Sequence, residues 1–357
     1  MAMNMNGALL SFVKNSTKVF LNYQFKRPPL KKKVITCYGD ISVKKGHCLA
    51  NTGKKGFRVS KYLQELGCYV GQQLTFDEAS ENLNRVGGIT LSDKQIERIC
   101  HEYGEQLETS LNEDEISLMD DSLHYAMMDG SMGFVRKQGW KEIKLGRVFA
   151  DQELIQVKER GWIRASDYVV HLGGHEAFLE KFERRISHKT NLVAIADGAR
   201  WIWDFWTENY PEAIQILDYY HAIEKIGNWA KMIFKDDKSA QEWIKLQETR
   251  LLNDEVSETI LDVMDIDCKG NNNKLKQQLL TYLENNKHRM KYKTYQEKGL
   301  MIGSGPIESA NKQIVQARLK KSGQRWTPKG WQQVANLRVA YHSKRWNLVK
   351  NAIRKAA

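Results

Sequence analysis

Three absences frame this chain. Its five cysteines, Cys37, Cys48, Cys68, Cys100 and Cys268, form no C-x-x-C pair. No apolar run approaches the ~18 residues of a membrane span, and no segment reads as a signal peptide. The expectation is a soluble, cytoplasmic chain with reduced thiols and no membrane partner. The third absence is of acid. From Ser309 to Ala357 there is no Asp or Glu, against 12 Lys and Arg. Residues 1–35 add seven basic residues and no acid. The middle, 36–308, therefore carries a net −7 within a chain of net +12. Basic ends around an acidic centre suit a polyanion partner and a cation-binding core, although solvated Lys and Arg faces give the same totals.

What is present reads as several modules. MAMNMNGALLSFVKNSTKVF reads as a basic arm, and VITCYGDISVKKGHC (34–48) as a β-hairpin turning at Tyr-Gly-Asp. His47 and Cys48 hint at a zinc ribbon, but no second Cys or His pair follows in LANTGKKGF, so zinc is not expected. Residues 1–57 form this first module. Residues 58–110 read as three helices. The last opens on Ser92 as N-cap and carries an apolar stripe at Ile96, Ile99 and Tyr103. The Gly-containing turn before it suggests a helix-turn-helix with Lys94, Gln95 and Arg98 facing DNA; plain helical packing explains the same pattern. LETSLNEDEISLMDDS reads as an acidic linker, placed over 111–122.

From 123 the period changes to strands. LHYAMMDGSMGFV, KEIKLGRVFA, ASDYVVHLGG, NLVAIADGA and AIQILDYYH read as strands, with helices HEAFLEKFERRIS and ARWIWDFWTENYP between the later ones. The order β-β-β-α-β-α-β predicts an α/β mixed sheet over 123–221. Residues 222–300 read as an all-helical insertion, and 301–357 as a final helix, opening near Pro306, with the basic tail.

Asp129 and Asp197 each end a strongly apolar strand and are each followed by Gly. Ligands in open α/β sheets gather at the carboxyl ends of strands. Two carboxylates converging there repel unless a cation neutralises them, and Mg²⁺ suits few carboxylates plus phosphate oxygens. Glu308, in GSGPIESANKQI, would be the third acid. Each residue also has an ordinary role. Asp-Gly is a common turn dipeptide, and Glu308 falls at N3 if Gly305 caps its helix.

Taken together, Asp129, Asp197 and Glu308 resemble the DDE triad of an RNase H-like transposase. The stretches MMDGS, AIADGARWIW, ILDYYHAIEKI, GSGPIESANKQIVQARLKKSGQRW and WQQVANLRVAYHSKRW are similar to bacterial insertion-sequence transposases of the ISKra type, relatives of mutator-like elements. That resemblance, over roughly 30–350, implies an RNase H-like catalytic domain with a helical insertion. It implies a two-ion Mg²⁺ site, in which Mn²⁺ can substitute, held by Asp129, Asp197 and Glu308. A D-x-x-H motif is matched by Asp218 and His221 as auxiliaries. The activity implied is cleavage and transfer of DNA strands, with double-stranded element ends and target as partners and at least a dimer at synapsis. Lys312, Arg318, Lys320, Lys321 and Arg325 are then expected to meet phosphates, and Trp326 to stack on an unpaired base. A structure-specific nuclease, or a transposase-derived DNA-binding protein with a silent site, would carry the same residues.

Overall fold

The computed structural model describes residues 31–44, 47, 50, 52, 57–112, 120–157 and 160–356. The expected basic arm, Cys48 and the centre of the expected linker lie outside them. The described residues fall into two compact units, one within 1–115, 133–141 and 313–357, the other within 116–132 and 142–312.

The first unit opens with an antiparallel hairpin of β1 (Lys31–Thr36) and β2 (Gly39–Lys44), whose alternate residues Val34, Ile41 and Val43 are buried. Three helices follow: α1 (Lys61–Gly71), α2 (Phe76–Gly87) and α3 (Asp93–Asn112). Each starts on a hydroxyl cap. Ser60 accepts from the Leu63 amide, Thr75 forms a reciprocal capping box with Glu78, and Ser92 accepts from the Gln95 amide. The stripe Ile96, Ile99 and Tyr103 of α3 is fully buried.

The basic C-terminal stretch belongs to this unit, whereas the sequence places it with the sheet. Its helices are α13 (Pro328–His342) and α14 (Trp346–Lys355). Helix α13 crosses α3 so closely that a Cβ on Gly104 would run into the Gln333 carbonyl. Asn336 then donates to the Gly104 carbonyl at 2.9 Å. Ten residues of α13 are buried, so it is a core helix of this unit and not a solvated basic face.

The second unit is built on a five-stranded mixed sheet, in the order β7-β4-β3-β8-β9. Its strands are β3 (Asp120–Val135), β4 (Gly139–Ala150), β7 (Asp167–Leu172), β8 (Lys189–Ala196) and β9 (Ile214–Leu217). Strands β3, β8 and β9 run parallel, and β7 runs antiparallel to β4. The hairpin of β5 (Leu154–Val157) and β6 (Arg160–Ile163) has no counterpart in the sequence pattern. Its short strands carry no alternation long enough to register. Tyr125 to Met128 of β3 and Leu192 to Ala196 of β8 are buried without alternation, the signature of strands covered on both faces. The sequence predicts β3 to stop at Asp129-Gly130. The strand instead continues to Val135, and only its burial changes there, from continuous to alternating.

Helix α4 (His175–Ile186) presents Phe178, Phe182 and Ile186 at helical spacing to the core. Helix α5 (Arg200–Asn209) buries Ile202, Trp203, Phe205 and Trp206, so the WIWDFW cluster is packing. After β9 come only helices: α6 (Tyr219–Ile233), α7 (Asp237–Leu251), α8 (Val256–Asp265), α9 (Asn271–Asn286) and α10 (Tyr292–Glu297). Within this array the buried Trp229 packs against Trp243, and Arg250 is ion-paired with Asp262. Helix α11 (Gly305–Ala310) leads into a π-helical turn, Asn311–Gln316, and then α12 (Ala317–Leu319).

Candidate active site

The parallel strands place three carboxylates on one rung. Met127 of β3 pairs with Ile195 of β8, so two residues further on Asp129 is level with Asp197. Ala196 of β8 pairs with Leu217 of β9, which puts Asp197 level with Asp218. The Asp218 amide donates to the Ala196 carbonyl at 2.9 Å, closing that last rung.

Each carboxylate is held by a different local device. Asp197 accepts from the Ala199 amide at 3.0 Å, an Asx turn that starts α5. Gly198, between them, lies under the ring of Tyr282 from α9, where a Cβ would collide with the ring edge. Asp218 is fully buried and caps α6. One of its oxygens accepts from the His221 amide at 3.1 Å, the other from the Ser304 amide at 2.8 Å. His221 Nδ1 lies 3.6 Å from that second oxygen. Asp129 accepts from the Asn311 side-chain amide at 2.7 Å. Burial pushes the Asp129 carboxyl above its ordinary range, the Asn311 bond opposes this, and the charge of Asp197 adds to it.

Glu308 reaches the same neighbourhood from α11. Ser304, not Gly305, is the N-cap, so Glu308 stands at N4 and its amide bonds to the Ser304 carbonyl at 3.3 Å. Its carboxylate accepts from the Ser304 hydroxyl at 3.5 Å. Ligand-capable atoms of Asp218, His221 and Glu308 all lie within 4.8 Å of one another. Glu308 therefore groups most tightly with the two residues the sequence treats as auxiliaries.

Sequence reasoning passed over two side chains here. Asn311 is buried, and among the described residues its Oδ1 has no hydrogen-bond partner. Its only sequence signal is its place three residues beyond Glu308. Tyr282 buries an unpartnered hydroxyl within the charge field of Asp197 and Asp218, which with burial lifts its pKa. Nothing in a polar helix such as α9 marks it from the sequence.

The residues expected to face DNA divide into two sets. In the first unit Arg318 is 1% exposed. It donates to the Gly71 carbonyl at 3.1 Å and to Gln324, between the rings of Phe76 and Trp326. Trp326 is buried too, and its indole donates to the Leu319 carbonyl at 3.1 Å. Both side chains are packed into the interior of the first unit. A π-helical turn, Asn311–Gln316, precedes them, and Val315 within it is buried as well. Arg338 accompanies them, donating to the carbonyls of Gln313, Ile314 and Gln72. Buried arginines thus satisfy carbonyls freed by the π turn and by the end of α1.

Lys312 and Arg325 are exposed and Lys320 is half-buried, while Lys321 is ion-paired with Glu78 at 2.8 Å. That pair and the Thr75 cap lower the Glu78 pKa to about 2. On α3, Lys94 is exposed and paired with Glu97, Gln95 is used in the Ser92 cap, and Arg98 lies over the Phe57 ring. Of the His47-Cys48 pair, His47 is described and Cys48 lies outside the described residues. No helix among the described residues is long and apolar enough to cross a membrane.

No family model matches the chain, and no curated protein matches it. Among solved structures it is similar to a chain described as "Drosophila P element transposase strand transfer complex". The likeness covers 80% of this chain and 92% of that one, at 10% sequence identity and a TM-score of 0.37.

Proposed function

We propose that the chain is a transposase: a metal-dependent enzyme that cuts DNA strands and joins the 3′ end to a target, on an RNase H-like domain. The observation that supports this reading is the single rung of Asp129, Asp197 and Asp218, with Glu308 arriving beside it on a separate helix. The ISKra-type assignment rests on the sequence resemblance.

The donor set suits Mg²⁺. It is rich in hard carboxylate oxygens, its Asp129 carboxyl is raised partly by the charge of Asp197, and Asn311 adds an unused buried carbonyl oxygen. Two Mg²⁺ ions, or Mn²⁺ in their place, would polarise the scissile phosphate and activate the attacking oxygen in line. Asp129, Asp197 and Glu308 would hold them. Asp218 carries two backbone amides already, so its role is to fix His221 and the Ser304 cap of the Glu308 helix. His221, partly exposed beside Glu308, is placed to contact a phosphate or take up a proton. Asn311 orients Asp129. Double-stranded DNA is the partner. Two ends joined in one complex call for at least two copies of the chain.

The test is a pre-cut end with a free 3′-OH, offered with target plasmid and Mg²⁺. Strand transfer by the parent, lost in both Asp129→Asn and Asp197→Asn with end binding retained, supports the reading. Cutting without joining would make the chain a nuclease on the same site. Metal-dependent transfer by either variant removes that residue from the site.

A further inference from the structure

The turn between β3 and β4 carries an aromatic pair that packing does not explain. Phe134 and Trp140 are 46% and 66% exposed, yet they touch edge to face, with centroids 5.9 Å apart. Exposed large rings that hold one another at a strand tip present a stacking surface to whatever approaches.

The surroundings say what approaches. Between Asp129 and Glu142 there is no acid, while Arg136, Lys137 and Lys141 all stand exposed. Arg325, also exposed, is brought beside the turn by backbone pairing. Val135 bridges to Trp326, the Arg136 amide donates to the Trp326 carbonyl at 2.7 Å, and the Arg136 guanidinium donates to the Arg325 carbonyl. Among the described residues none of these four cations is ion-paired. The turn is also set firmly: Lys137 and Gly139 adopt positive φ, 63° and 73°, and the Gln138 amide bonds back to Val135.

We infer that Phe134 and Trp140 form a base-stacking platform for unpaired DNA, with Arg136, Lys137, Lys141 and Arg325 holding the adjoining phosphates. Aromatic faces accept any base, and cations beside them follow the backbone; together these are the two components of single-strand recognition. The occupant is a nucleic-acid strand and not an apolar protein face, because the exposed cations on and beside this turn, none of them ion-paired among the described residues, match phosphate. The buried Trp326 cannot take this role; it anchors the turn that does. The DNA partner is shared with the proposed transposase, but the platform can be tested without cleavage.

The probe is a short fluorescein-labelled oligo-dT, titrated against the full chain without divalent metal, beside a blunt duplex of the same length. Trp140→Ala should weaken oligo-dT binding about tenfold, the Phe134→Ala/Trp140→Ala double variant more, and the blunt duplex less. Trp140→Phe should recover most of the loss, since a ring remains. Lys137→Gln with Lys141→Gln should flatten the salt dependence by about 0.7 per charge. Unchanged oligo-dT affinity in the double variant overturns the platform, as does Trp140→Phe losing as much as Trp140→Ala. A change of oligomeric state by light scattering with affinity unaltered also overturns it, assigning the face to a second copy. If the oligo binds as expected and strand transfer still fails, only the transposase reading falls.

Discussion

Asn311 donates its side-chain amide to the Asp129 carboxylate at 2.7 Å, across 182 residues of sequence, while its own carbonyl oxygen is buried without a partner. The amide fixes one carboxylate oxygen of Asp129. The first residue of a π-helical turn makes this contact, where the altered winding aims the side chain.

Asn311→Ala removes that donor. Strand cleavage should fall about tenfold to a hundredfold. The loss should appear mainly as a higher Mg²⁺ concentration for half-maximal rate, with DNA binding in the absence of metal unchanged. A rate loss with unaltered metal dependence would place Asn311 outside the positioning of Asp129.

Asp218 separates structure from chemistry. Asp218→Ala strips an N-cap and leaves the Ser304 amide buried without an acceptor, at a cost of about 1–3 kcal/mol in folding stability by urea titration. His221→Gln leaves that network standing. It should reduce cleavage with little change in urea midpoint. Equal stability losses in the two variants would make His221 a structural residue.

Arg318 should behave as a core residue. Arg318→Ala orphans the Gly71 carbonyl and opens space between Phe76 and Trp326, costing about 3 kcal/mol. The salt slope of DNA binding should stay where it is. Lys312→Gln, by contrast, should flatten the slope by about 0.9 without loss of stability. A flattened slope in a folded Arg318 variant would restore it to the DNA-binding surface.

His342 makes the first unit acid-sensitive. Burial and the neighbouring Arg338 lower its pKa from 6.5 to about 4. The unfolded chain takes up a proton at this site as pH falls through 6.5, while the folded chain stays neutral until about 4. Stability contributed here is therefore complete above the unfolded value and is lost as pH drops through that window, by up to about 3 kcal/mol. His101, His124, His188 and His288 are lowered as well, so the measure is a difference. Denaturation midpoints of parent and His342→Gln should diverge at pH 7.5 and approach each other at pH 5.

Much of the architecture was legible because it follows from local periodicity. The hydroxyl cap at Ser92 marks a helix start, and the unbroken apolar runs before Asp129 and Asp197 mark buried strands. A five-stranded mixed sheet and a helical segment after it emerge from that pattern alone. The π turn was not legible, since nothing in NKQIVQ distinguishes a wider winding from an ordinary helix. Nor does anything in the sequence separate Arg318, which is buried, from Lys312 and Arg325, which are exposed.

The sequence by itself showed two acids that each close an unbroken apolar run, and one more near the start of a late helix before an acid-free tail. Hydropathy and charge order are properties of the chain as written. Only the tertiary structure decided which of those groups share a rung, because strand register joins residues 68 apart, Asp129 with Asp197, that no local pattern links. It also decided the fate of the tail's charge. Burial selects some arginines to close open carbonyls and leaves other cations to solvent, and that choice depends on the neighbouring helices, not on the residue type.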